Sequence, residues 1–158
     1  MALSGLSSVP TVLRFPIGLV AAIGAVLVMD LVMAQLPEGT TPPQVAAGVL
    51  TRTAVDAAPA RLAAVAHYLA GLGTGLMFVY FSLVTEWLLG GSSPSSLVVT
   101  TLLLYVLMVA FFVAVPLPRA PGVTASRRRT IARDWAIAAG AYLAALVPVS
   151  VGLTLAVA

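Results

Sequence analysis

Polar residues interrupt this chain at only a few places, and the apolar stretches between them are long. The first runs from about Phe15 to Leu36, the second from about Leu62 to Leu89, the third from about Leu97 to Leu117, and the fourth from about Trp135 to about Val157. Crossing about 30 Å of hydrocarbon takes roughly 20 helical residues, and each stretch meets that length. None shows the in/out alternation of a strand, and lipid cannot satisfy open backbone groups, so each stretch is expected to be helical. The expected fold class is an all-α membrane protein, with four transmembrane helices in one antiparallel bundle. The first stretch lacks a basic leader, exceeds the length of a signal-peptide core and carries Asp30. It therefore reads as a retained span.

The connections differ. Pro37-Glu38-Gly39-Thr40-Thr41-Pro42-Pro43 is rich in turn formers. Gln44 to Ala57 follows, readable as a short interfacial helix between the first two spans or as a loop. In the helical reading, Val45, Val49 and Leu50 face the membrane while Arg52 and Asp56 face water. Gly90 to Ser96 is a short turn that should leave the second and third spans as neighbours. Pro116 to Arg133 reads as a basic loop holding Arg119, Arg127, Arg128, Arg129 and Arg133.

Arginine placement sets the expected orientation. The first and third connections lie on one side of a four-span protein and carry all the arginines except Arg14. The positive-inside rule puts that side in the cytoplasm and both termini outside, in a multi-pass protein of the cell (plasma) membrane. The basic residues are thus expected to set orientation and to meet lipid headgroups. The sequence pI near 10 is not read as a sign of nucleic acid. Trp135 and Trp87 suit the two interfaces.

Composition supports this frame. The chain is 61% hydrophobic and 8% charged, against about 25% charged for a soluble domain. The lack of cysteine excludes disulfides and thiolate chemistry. All basic residues are arginine, which suggests a GC-rich prokaryotic source.

Ionisable side chains inside spans are candidates for function. Here they are Asp30, His67 and Glu86. Asp30 precedes the inner end of the first span by about 9 Å at 1.5 Å per residue, and His67 lies at a similar depth in the second. The two can therefore hydrogen-bond if those helices are neighbours. Arg14 and Glu86 match in the same way at the outer end. On the second span, His67, Gly71, Thr74, Gly75, Phe78, Ser82, Thr85 and Glu86 recur at spacings of three and four and share one face. Leu69, Leu72, Leu76, Val79 and Leu83 form the opposite face, expected to meet lipid. The stripe has two readings. In one it is a packing seam, with Gly71 and Gly75 admitting a close neighbour. In the other it is a polar path gated by Asp30 and His67. On the fourth span Gly140 and Ala144 offer a second close-packing edge, and Pro148 is expected to kink the helix and free the Ala144 carbonyl. No nucleotide, hydrolase or metalloprotease motif is present, and no cofactor is expected.

Gly18-Leu19-Val20-Ala21-Ala22-Ile23-Gly24, the Pro42-Pro43 loop, Ala66-His67, Tyr80 and Glu86 together resemble the small prokaryotic inner-membrane proteins of the YagU type, over residues 15 to 90. The resemblance implies a four-span membrane protein and assigns no catalytic residue. The leading expectation is a non-enzymatic membrane protein that acts by helix association, as a homo-oligomer or with another membrane protein. The alternative is a proton-, ion- or small-solute-conducting protein using the polar stripe.

Overall fold

The computed structural model describes residues 9–158. Among them are five α-helices: α1 (Thr11–Met33), α2 (Thr41–Thr51), α3 (Ala60–Leu88), α4 (Pro94–Ala114) and α5 (Ala125–Ala156). No strand occurs among the described residues. The helices α1, α3, α4 and α5 are long and apolar enough to cross a membrane. They touch in a ring: α1 against α3, α3 against α4, α4 against α5, and α5 back against α1.

Helix starts follow capping chemistry, not hydropathy. Helix α5 begins at Ala125 rather than Trp135, because the Thr124 side chain accepts the Arg127 amide and nothing between the two breaks a helix. Arg127, Arg128, Arg129 and Arg133 therefore lie on its first turns, not in a loop. Hydropathy locates where a helix stops being polar, which here is well after its first residue. Helix α4 starts at Pro94, ahead of Leu97, with Ser93 and Ser96 capping each other reciprocally. Gly90 and Gly91 take positive φ of 78° and 137° in the turn before it, a region open to glycine. Helix α1 starts at Thr11 and ends at Met33, earlier at both ends than the apolar stretch suggests. Helix α5 continues as one element through Pro148.

The core has two parts. The main one lies along the bundle axis and includes Ala21, Ala22, Ala25, Val26 and Met29 of α1, Phe78 of α3, Leu104 of α4, and Ala138, Tyr142 and Leu146 of α5. The second closes one end: Val45 of α2, Val55, Phe112, Leu117, Ala120, Val123 and Ile131. Val45 is thus fully buried in protein, where the sequence suggested a membrane-facing position. Helix α2 is shorter than expected, and Val55–Ala57 forms a separate 3₁₀ turn. Together they fold back over the bundle end, which is why Val45 points inward. Leu50 on the far side of α2 stays exposed.

Helix α3 also departs from expectation on one face. Leu69 is exposed, but Val79 is buried and Leu72 packs on the core. Val79 lies four residues beyond Gly75 and continues the Gly71–Gly75 row. The helix touches both α1 and α4, so its buried arc is wider than its polar stripe.

Candidate functional site

The polar side chains gather at the two ends of the α1–α3 seam and at the end closed by α2. At one level of the seam, His67 Nε2 lies 2.7 Å from Asp30 Oδ1, and the Tyr68 hydroxyl donates to Asp30 Oδ2 at 3.1 Å. Both carboxylate oxygens therefore have partners. The His67 side chain is covered, whereas a third of the Asp30 side chain remains exposed and Tyr68 is exposed. The cluster sits at the edge of the bundle and opens sideways. At the other end of the seam, Arg14 Nη1 donates to Glu86 Oε2 at 2.7 Å. This ion pair lines a small cavity of about 40 Å³, with Ser82, Ser150 and Thr154 among its walls. That is room for a few waters, with enough polar partners to hold them.

Between these ends the seam is closed. A Cβ built on Gly75 would lie 2.7 Å from the Gly18 backbone oxygen and 2.5 Å from Ala22 Cβ, so the two backbones approach as glycine alone allows. One turn away, Gly71 meets Val26. The Tyr142 hydroxyl reaches across from α5 and donates to the Gly71 carbonyl at 2.6 Å. Thr74 and Ser82, stripe residues proposed for a polar path, donate to carbonyls of their own helix, Ala70 and Val79. The Thr85 hydroxyl lies 3.1 Å from the Ser82 carbonyl of its own helix and also reaches α4, 2.5 Å from the Thr100 hydroxyl in a buried contact.

The end covered by α2 carries an ionic clasp. Arg127 donates through Nε to Glu38 Oε1 at 2.7 Å and through Nη2 to Oε2 at 3.2 Å. The same guanidinium donates to both Asp56 oxygens, at 3.0 and 2.9 Å. The Arg127 hydrogen bonds hold the Glu38 and Asp56 carboxyls below their ordinary values. Fully buried Asp134 accepts the Glu38 amide at 2.8 Å and the Arg133 guanidinium at 2.8 Å. Arg119 Nη1 donates to the Val115 carbonyl, and Arg129 is exposed. Arg127 and Arg133, expected at lipid headgroups, thus have carboxylate partners within the chain.

The structure therefore brings together the Asp30–His67 and Arg14–Glu86 pairs that matching depths allowed. Sequence reasoning missed Tyr68, Tyr142, Glu38 and Asp134. A signal for Glu38 existed, because charges are scarce and the acids and Arg127 sit in connections assigned to one side. Tyr142 carried none. Gly140 and Ala144 meet no neighbouring helix in close contact: a Cβ on Gly140 would lie 3.8 Å from Tyr105 Cε2, and Ala144 is exposed. They line an open groove of about 400 Å³ between α4 and α5, with Thr101, Tyr105, Leu143 and Pro148.

No family model, curated protein or solved structure matches this chain. Among the described residues no cluster of three His, Asp or Glu side chains could hold a metal ion. The Asp30 carboxyl, held by His67 and Tyr68 and one-third exposed, can take a further hydrogen-bonding partner from the side.

Proposed function

We propose that the chain is a four-span prokaryotic plasma-membrane protein, an antiparallel bundle with both termini outside, that acts by lateral association with other membrane helices. Two observations support placing it in lipid. Val98, Val99, Leu102, Leu103, Val106, Leu107 and Phe111 are all exposed on α4, a continuous apolar surface that water would not tolerate. The uncovered faces of α1 and α3 add Val20, Leu27, Leu31, Leu69 and Trp87. The arginines supply the orientation, and a YagU-type relationship fits this reading.

The Gly18–Gly75 contact carries the choice of association over conduction. It seals the seam between Asp30–His67 and Arg14–Glu86, the groups a conducting path would need to link. Each of these pairs also satisfies its polar groups within the chain, His67 Nε2 on Asp30 and Arg14 on Glu86, as static interhelical links do. The open α4–α5 groove, by contrast, presents small residues outward, the feature through which membrane helices approach one another.

The test is the mass of the protein extracted into lipid nanodiscs, with flux assays on the same material in liposomes. The expected result is a discrete oligomer or a stoichiometric complex with another membrane protein, and no proton or ion flux. A monomer without partners, or flux abolished by Asp30→Asn in a folded protein, overturns the proposal.

A further inference from the structure

We infer that the α4–α5 groove is the contact of a two-fold dimer of this chain, closed by a hydrogen bond from Thr101 of each copy to the Ala144 carbonyl of the other. The inference rests on the association reading above and names its partner. Pro148 has no amide proton, so the Ala144 carbonyl four residues earlier lacks its helical donor. The hydroxyls that line the groove bond elsewhere: Thr101 donates to the Leu97 carbonyl at 2.8 Å, and Tyr105 to the Ala136 carbonyl at 3.3 Å. In hydrocarbon an open carbonyl costs free energy that an acyl chain cannot relieve. An occupant with a hydroxyl donor at that level can.

A second copy has one there. Thr101 and Ala144 line the same groove. Trp135 of α5 bonds the Met108 carbonyl of α4, and seven residues onward along each antiparallel helix, about 10 Å at 1.5 Å per residue, Thr101 comes level with Tyr142, within one turn of Ala144. A two-fold axis parallel to the helices keeps residues at their own level, and in such a contact residue i meets j while j meets i. The groove holds one donor and one open acceptor at that level, which makes it self-complementary. The Leu97 carbonyl keeps its helical amide when Thr101 turns away, so the exchange leaves no group bare. Gly140 and Ala144 let the second backbone come close, as small residues four apart do.

The experiment measures dimer mass of the full chain in nanodiscs over a range of dilution. Wild type should be dimeric. Thr101→Val removes two such hydrogen bonds, one from each copy, and should weaken the dimer about tenfold to a hundredfold, and Thr101→Ser should restore it. Gly140→Leu fills the groove and should yield monomer with helix content unchanged. Gly73→Leu, at a position with nothing within 4 Å of an added Cβ, should leave the dimer intact. If Gly140→Leu does not fold, Ala144→Cys in the otherwise cysteine-free chain should give a dimer with a short bis-maleimide in native membranes, and no cross-linked dimer would overturn the inference. A dimer indifferent to Thr101→Val and Gly140→Leu overturns the groove but leaves association standing. So does a monomer bound to a different membrane protein. A partnerless monomer removes both.

Discussion

Gly75 on α3 lies so close to Gly18 on α1 that a methyl group at its Cα would stand 2.7 Å from the Gly18 carbonyl oxygen. Backbone cannot yield as a flexible side chain can, so this contact fixes the spacing of the α1–α3 pair. Gly73, two residues away on the same helix, would meet nothing within 4 Å.

The two glycines therefore respond oppositely to alanine. Gly75→Ala should destabilise the protein by about 2–3 kcal/mol, the usual scale of overpacking. Gly73→Ala should be neutral or stabilising by up to about 1 kcal/mol, because alanine is the better helix former. Reversible unfolding in mixed micelles measures both. Equal effects would mean that the α1–α3 approach is not close.

Asp30 and His67 should be energetically coupled. His67→Ala leaves the carboxylate with Tyr68 as its sole donor and should cost about 2 kcal/mol, as for hydrogen bonds to charged groups. In an Asp30→Asn background the same change should cost less, with a coupling energy of about 1–2 kcal/mol from a double-mutant cycle. Additive effects would show that the contact contributes nothing specific.

The ionic clasp should make stability acid-sensitive. The Glu38 carboxyl titrates below its ordinary value of 4.5 because Arg127 hydrogen-bonds it. A carboxyl lowered in the folded state contributes stability fully above its unfolded value, and loses it as pH falls through the folded one. Glu38→Gln should therefore cost about 1–2 kcal/mol at pH 7, between the values for exposed and buried pairs. The gap to wild type should shrink below pH 4.5. A gap constant from pH 7 to pH 3 would contradict the assignment.

What the sequence conveys here is set by which physical signal each feature leaves. Four long apolar helices are legible because unbroken apolar runs of about 20 residues mark them in the sequence. The levels of Asp30 with His67 and of Arg14 with Glu86 are legible because helical rise converts residue number into depth. The start of α5 is not, because its polar first turns carry no hydropathy signal and the cap at Thr124 is a single hydroxyl. The inward turn of Val45 depends on how α2 folds back, which a face pattern on so short a helix cannot show. Tyr142 reads as one more apolar-span aromatic, and its bond to Gly71 appears only once α5 is placed beside α3.

The central claim is that these helices cross a bilayer with the basic end inside, and single-cysteine labelling tests it most directly. The chain has no native cysteine, so Ser95→Cys, at the start of α4, and Ser126→Cys, on the first turn of α5, report on opposite ends. Both positions are exposed. A membrane-impermeant maleimide should label Ser95→Cys on intact cells and Ser126→Cys only after permeabilisation. Labelling of both on intact cells, the reverse pattern, or recovery of the protein in the soluble fraction would contradict the account.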